Sequence, residues 1–313
     1  MKIAVVDPSR VVLKIVAGAL EDAGHLVSCF SDSSAALERL RLDEAIEVLV
    51  TSLQHAGMGG LELIREARAI AGRRRALYVL VMSSSADRTT LVEALDGGAD
   101  DFVGKPSAPE ELLARLRVAE RTAKLQQELI RLATIDSLTG LLNRRAFFET
   151  AELYSRSDAD AVAIFDIDRF KQVNDAFGHA TGDVVIAAVA RAAAVHAPIV
   201  GRLGGEEFGL LIPNGRVRDA VAACETLRRD VAALVFDDVD PSLHVTCSFG
   251  AGEWRSGERL EEALKRADVA LYAAKTSGRN RVVAAAGGLA GDPVVVASPD
   301  ASGAERRLAR ALR

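Results

Sequence analysis

The run Arg202-Leu203-Gly204-Gly205-Glu206-Glu207-Phe208 constrains this chain more than any other. Its two glycines stand between short β-like runs, Ile199 to Leu203 and Phe208 to Ile212. Paired glycines between such runs predict a tight hairpin, because glycine accepts the positive φ that these turns require. Two carboxylates, Glu206 and Glu207, follow at once. A turn lets backbone approach a ligand closely, and carboxylates there suit a hard cation such as Mg²⁺. A solvated turn carrying two surface acids is the competing reading, and the motif alone does not separate the two.

Other segments do. Phe165-Asp166-Ile167-Asp168-Arg169-Phe170-Lys171-Gln172-Val173-Asn174-Asp175 lies upstream, followed by Gly178-His179-Ala180-Thr181-Gly182-Asp183. Downstream come Ala267-Asp268-Val269-Ala270-Leu271-Tyr272 and Lys275-Thr276-Ser277-Gly278-Arg279-Asn280-Arg281. Ahead of all of them stands Asp136-Ser137-Leu138-Thr139-Gly140-Leu141-Leu142-Asn143-Arg144-Arg145. In order and spacing these motifs closely resemble the GGDEF family of diguanylate cyclases, in its GGEEF form, over roughly residues 133–286. The resemblance implies an α/β nucleotidyl-cyclase domain with a mostly antiparallel central sheet. It also implies the reaction, in which two GTP condense into cyclic di-GMP and two pyrophosphates. Two attacking 3′-hydroxyls require two copies about a twofold axis, hence a homodimer.

Site residues follow from the resemblance position by position. Ala161 to Phe165 reads as a strand with Asp166 at its end. Asp166 and Glu206, with the Ile167 carbonyl, are the implied ligands of Mg²⁺, or of Mn²⁺ in its place. Glu207 is the implied general base toward the 3′-hydroxyl, or else a second metal ligand. Glu206 and Lys171 complete the catalytic set. Arg169, Phe170 and Lys171 would open a short helix whose N–H groups face an anion. Lys171, Lys275 and Arg279 match the family's phosphate contacts. Lys275 and Arg279 are four apart, so on a helix they would share a face. Outside this context each of these cations reads as a solvated charge. Asn174 and Asp183 would read guanine, whose N1–H and amino group suit a carboxylate acceptor. Adenine lacks that donor pair, so GTP is expected over ATP. Asp168 reads as structural, and Asp136 and Arg144 as an ion pair across a turn. Many family members carry Arg-x-x-Asp ahead of the glycines as an inhibitory product site. Here that stretch is Val195-His196-Ala197-Pro198, so no such site is expected.

Within a first domain read as residues 1–120, residues 1–106 alternate strand and helix signals. Ile3–Val6, Leu26–Phe30, Val48–Ser52, Leu77–Met82 and Asp101–Val103 are strand-like, and Val12, Ile15, Val16, Ala19 and Leu20 repeat at helical steps. Such βα units predict a doubly wound, flavodoxin-like parallel sheet. Val5-Val6-Asp7, Gly57-Met58-Gly59-Gly60-Leu61-Glu62, Gly98-Ala99-Asp100-Asp101-Phe102 and Lys105-Pro106 resemble a response-regulator receiver. The resemblance fails at its chemistry. Pro8 replaces one of the two acids after the first strand, and Ser52 stands eight residues before Gly60, where the phosphoacceptor aspartate belongs. Ser83 fills the usual Ser/Thr place and Lys105 the usual lysine place. An aspartyl phosphate needs a carboxylate nucleophile, and Mg²⁺ needs clustered oxygen anions. The expectation is a pseudo-receiver that takes no phosphate, with Asp7 and Lys105 left as a structural ion pair. Its input would be a protein partner or its own dimerisation surface.

Between the two, residues 107–135 predict one connecting helix. Leu112, Leu116, Ala119, Ala123, Gln126, Ile130 and Ala133 recur at heptad-like steps. The segment either covers its own domain or pairs with its twin, and its length favours pairing. Further on, Val217–Val235 and Leu260–Lys275 read as amphipathic helices and His244–Ala251 as a strand. Residues 287–313 read as a flexible tail with a valine run, Val294 to Val296, and a short basic segment, Glu305 to Arg313.

Composition narrows the classes. With 49% hydrophobic residues, two cores are affordable, and a net charge of −5 gives no basic signature for nucleic acid. No apolar stretch is long enough to span a membrane, and the N-terminus runs straight into a strand, so neither anchor nor leader is expected. Cys29, Cys224 and Cys247 fit buried thiols of a reducing cytoplasm. The rival function is a non-catalytic effector that binds GTP or cyclic di-GMP. The complete set of motif acids and cations weighs against it.

Overall fold

The computed structural model describes residues 1–285 and 294–295, apart from 56, 73–74, 85–87, 106–107, 155–158 and 238. The chain divides into two compact units, Met1–Arg131 and Leu132–Arg313.

In the first unit, β1 (Lys2–Val6), β2 (Leu26–Phe30), β3 (Val48–Ser52), β4 (Tyr78–Ser83) and β5 (Asp101–Gly104) form a parallel sheet in the order β2-β1-β3-β4-β5. The connecting helices are α1 (Arg10–Asp22), α2 (Ser33–Leu42), α3 (Gly60–Ala71) and α4 (Arg88–Asp96), and α5 (Pro109–Thr134) follows β5. Alternate strand residues serve opposite cores, as the pleat requires. Ala4, Val6, Leu49, Val79 and Val81 pack with α2 and α3, while Ile3, Val5, Val48, Val50 and Leu80 pack with α1 and α5. This two-sided burial explains the continuous apolar runs of β1, β3 and β4. The strand read as Leu77–Met82 lies one residue later, because the Tyr78 amide starts the ladder on the Glu47 carbonyl.

Helix α5 corrects the expected seam. Leu112, Leu116 and Ala119 are buried in the core of their own unit, and Ala123 is 3% exposed. Gln126 and Ile130 line a cavity with Arg68, Arg75 and Leu77. The seam thus covers the parent sheet. The exposed apolar stripe is another face, Val118, Leu125, Leu129 and Leu132, with Leu125 at 68% and Leu129 at 65% exposure.

The second unit contains β6 (Leu142–Asn143), α6 (Arg144–Tyr154), β7 (Ala159–Ile167), α7 (Phe170–Phe177), α8 (His179–Ala193), β8 (Ile199–Gly204), β9 (Glu207–Ile212), α9 (Val217–Ala232), β10 (Cys247–Arg255), α10 (Leu260–Thr276), β11 (Val282–Ala284) and β12 (Val294–Val295). The sheet order is β12-β11-β10-β7-β9-β8-β6, antiparallel through its centre from β10 to β8. Phe165 of β7 stacks on Phe208 of β9 with ring centroids 4.9 Å apart, and on Phe249 of β10 at 5.0 Å. All three are fully buried. Gly250 brings α10 directly onto β10: a Cβ there would stand 1.9 Å from the Ala267 carbonyl oxygen.

The strand expected over residues 244–251 instead runs Cys247–Arg255. The ladder bond from the Asp168 amide to the Thr246 carbonyl is its last at this end, and Gly252 to Arg255 continue pairing with the start of β7. Helix α9 stops at Ala232, three residues short of the expected end. Cys224 and Cys247 are buried, but Cys29 is exposed on the edge strand β2. Within the tail, Val294–Val295 adds an edge strand to β11. The rest of it, with Glu305 to Arg313, lies outside the described residues, as does Pro106. Among the described residues no helix is long and apolar enough to cross a membrane.

Candidate active site

The phenylalanine stack fixes a register in which Asp166 lies opposite Glu207 on β9 and opposite Ser248 on β10. Directly opposed residues share a face, and alternation puts Asp166 and Glu207 on the face away from the stack. Helix α10 packs on that face through Leu264, Ala267 and Leu271, beside Val162 and Ile164 of β7. Its last turn delivers Lys275, whose Nζ is 3.0 Å from Asp166 Oδ2.

The hairpin turn lies between β8 and β9, at Gly205 and Glu206. Gly205 has φ 52° and Gly204 φ 157°. Arg202 Nε donates to the Gly205 carbonyl at 2.9 Å and bolts the turn to its own strand. Glu206 is half-buried there and Glu207 exposed.

Burial pushes the Asp166 carboxyl up to about 6, against the pull of Lys275 and with Glu206 and Glu207 adding to the rise. Three acids converge, and Lys275 is the cation now facing Asp166. That donor set fits a divalent ion bound by Asp166, Glu206 and the Ile167 carbonyl. Among the described residues no group of three or more His, Cys, Asp or Glu side chains could hold a metal ion by itself.

Beyond β7, Asp168 is a buried hydrogen-bond acceptor, as its structural reading expects. It accepts from Thr246 Oγ1 and Ser248 Oγ at 2.7 Å each, and from the Asn280 amide at 3.0 Å. Arg169 has φ 55° and turns the chain into α7. The Phe170 side chain is 8% exposed and belongs to the core, so only its backbone can face a ligand. Lys171 is exposed at the start of α7.

Asn174 lies against Gly182, where a Cβ would stand 2.0 Å from Asn174 Oδ1. Among the described residues that buried oxygen has no hydrogen-bond partner, so it is open to a donor. Asp183, the next residue, is exposed. Lys275 and Arg279 do not share a helix face. Helix α10 ends at Thr276, and Arg279 sits in the following turn with φ 63°.

Asp136 pairs with Arg202, not with Arg144. Arg202 Nη1 lies 3.1 Å and 3.2 Å from its two carboxylate oxygens. Asp136 also accepts from Thr139 Oγ1 and the Thr139 amide. Arg144 instead donates to the Leu203 carbonyl at 3.3 Å and lies over the Phe148 ring. Spacing alone pointed to the nearer arginine; the sheet brings the distant one. The stretch Val195-His196-Ala197-Pro198 leaves Val195 78% exposed, and His196 Nε2 meets Asp230 Oδ2 at 2.7 Å.

In the first unit, Lys105 Nζ pairs with Asp7 Oδ2 and donates to Ser52 Oγ at 2.9 Å. Asp7 is 1% and Ser52 5% exposed. Asp7 Oδ1 accepts from the Ser9 amide at 2.8 Å.

A family model for the diguanylate cyclase GGDEF domain matches residues 133–281, and one for the response regulator receiver domain matches residues 3–117. Response regulator PleD of Caulobacter vibrioides is 34% identical over 261 residues, covering 76% of this chain and 56% of PleD. Diguanylate cyclase DgcM of Escherichia coli is 39% identical over 170 residues, covering 52% of this chain and 41% of DgcM. The coiled coil and GGDEF domain of DgcB from Caulobacter crescentus, solved in complex with c-di-GMP, matches with a TM-score of 0.52 and 34% identity, covering 56% of this chain and 98% of that one. This chain belongs to the GGDEF family and carries a receiver domain ahead of its GGDEF domain. It spans about half the length of the curated relatives it matches.

The Asp136 bonds make a testable claim. Burial alone would raise this carboxyl, but the bonds from Thr139 and Arg202 hold it below the ordinary value of 3.8. A carboxylate held low contributes stability above its unfolded value and loses it as pH falls through the folded one. Asp136→Ala is expected to lower unfolding stability by about 1–3 kcal/mol near pH 7, read by denaturant titration. The gap from wild type should narrow as the pH falls below 3.8. A gap of constant size across that range would contradict the assignment.

Proposed function

We propose that this chain is a diguanylate cyclase that condenses two GTP into cyclic di-GMP and two pyrophosphates. The observation that carries the reading is the convergence of Asp166, Glu206, Glu207 and Lys275 at one end of β7. The orphan Asn174 acceptor supports it from the neighbouring helix pair.

Each residue has a task. Asp166, Glu206 and the Ile167 carbonyl would hold Mg²⁺, or Mn²⁺ in its place, and a divalent ion there would supply positive charge for phosphate oxygens. Lys275, freed from Asp166, turns to the phosphates together with Lys171 and Arg279. The amides of Arg169, which caps α7, and of Phe170, its first residue, face the same anion. Asn174 and Asp183 take the guanine edge, and their acceptors select GTP over ATP. Glu207, exposed at the head of β9, takes the proton from the attacking 3′-hydroxyl.

The 3′-hydroxyl that attacks one α-phosphate belongs to the GTP on a second copy, so the active form is a homodimer. The catalytic domains, the receiver and the connecting helix all contribute to it. On the helix, the stripe Leu125, Leu129 and Leu132 offers the apolar face that the buried seam does not. Val195 and Pro198 supply neither charge nor donor for a product clamp, so feedback through that stretch is weak or absent.

The receiver does not accept phosphate. Ser52 Oγ receives a bond from the Lys105 ammonium, which is itself neutralised by Asp7. Among the described residues the side-chain partner of this hydroxyl is an ammonium, which cannot act as its base. Control passes instead to a protein partner or to receiver dimerisation.

Two assays test this. The purified chain with GTP and Mg²⁺ should yield cyclic di-GMP at a specific activity that rises with protein concentration. Glu207→Ala should yield none, and product from that variant at the wild-type rate would sink its role. Separately, acetyl phosphate should leave the chain unlabelled. Phosphoprotein that disappears in Ser52→Ala would overturn the pseudo-receiver.

A further inference from the structure

Asp168 is a buried carboxylate with no ion-pair partner among the described residues, only hydrogen-bond donors. Burying a charge is costly unless several donors satisfy it. Here the donors are Thr246, Ser248 and the amide of Asn280. The last of these is the informative one. Asn280 follows Arg279, and the two have φ 45° and 63°, a left-handed pair that side chains other than glycine adopt only when held.

Besides the bond from Arg281 Nε to the Arg279 carbonyl at 3.0 Å, three bonds tie that turn to its surroundings. The Arg279 amide donates to the Ala274 carbonyl at the end of α10, at 3.0 Å. Asn280 Oδ1 accepts from Arg228 Nη1 of α9 at 2.9 Å, and Glu225 fixes Arg228 through two further bonds. Asp168 supplies the third from the opposite side, two residues beyond Asp166. It ties the end of β7, which carries Asp166, to the turn carrying Arg279.

We propose that Asp168 is a positioning residue: its carboxylate holds the Arg279–Asn280 turn in its left-handed form and so sets Arg279 at a fixed offset from the Asp166 loop, toward a nucleoside triphosphate. The inference rests on the reading of Arg279 as a phosphate contact. Without the Asp168 bond the turn relaxes toward ordinary φ, and Arg279 leaves the phosphates while the guanine contacts at Asn174 and Asp183 stay.

The test is a double-mutant cycle on the full chain, read as the affinity for a non-hydrolysable GTP analogue with Mg²⁺. Asp168→Ala and Arg279→Ala should each weaken binding about tenfold, and the double variant should be no weaker than Arg279→Ala alone. Asp168→Asn keeps an acceptor for the Asn280 amide and an NH₂ donor for Ser248, so it should restore most of the affinity. A merely structural role would show neither the coupling nor the rescue. If Asp168→Ala does not fold, the cycle is run with Asp168→Ser, whose hydroxyl remains among Thr246 and Ser248 but ends short of the Asn280 amide. Losses that add, or a folded Asp168→Ala or Asp168→Ser that binds like wild type, would overturn the inference while leaving the nucleotide site standing. Wild type that binds no analogue overturns the nucleotide site, and this inference with it.

Discussion

Phe165 lies between Phe208 and Phe249, and that stack holds three strands in one register. Aromatic pairs of this kind contribute about 0.5–1.5 kcal/mol each beyond their buried area. Their larger effect is geometric. A strand that slips by one residue turns every side chain to the other face, so a stacked pair on one face fixes what stands on the other. Asp166 and Glu207 face each other because Phe165 and Phe208 do, one position earlier in the same ladder. The hairpin glycines then need only close the turn, and Gly250 needs only admit α10 closely enough for Lys275 to reach Asp166.

The two units meet a similar electrostatic problem in different ways. In each, an aspartate near a strand end meets a lysine. In the receiver, Asp7 and Ser52 are both engaged by Lys105, and no further acid stands with them in the pattern that a phosphorylated receiver needs. Lys105 offsets the Asp7 charge there. In the GGDEF domain, Lys275 faces one of three acids, and burial still pushes Asp166 up to about 6. Acidic groups are left over there, as a site for a cation would need.

Much of this was legible in the sequence, for identifiable reasons. The βα alternation and the continuous apolar runs gave the parallel sheet, since two-sided burial leaves few alternatives. The hairpin was readable because two adjacent glycines admit little else between strands. What failed were inferences along the chain that the third dimension overrides. Arg144 was near Asp136 in sequence, but the β6–β8 pairing makes Arg202 its neighbour. Lys275 and Arg279 have helical spacing, but the glycine at 278 ends the possibility of a shared face. The heptad in α5 was real, yet periodicity does not say whether an apolar stripe meets a sheet or another helix. The Asn280–Asp168 bond had no signal beyond the Asp-x-Asp spacing, because a backbone amide carries no sequence signature.

The account depends on the acids at the β7 end acting as a cation site that works together with a triphosphate. The most direct measurement is the magnesium dependence of GTP-analogue binding, by calorimetry on the full chain, for wild type and Glu206→Gln. The account predicts tight binding by wild type only with Mg²⁺, and loss of that magnesium-dependent binding in the variant. Equal binding in EDTA, or a variant that responds to Mg²⁺ as wild type does, would contradict it.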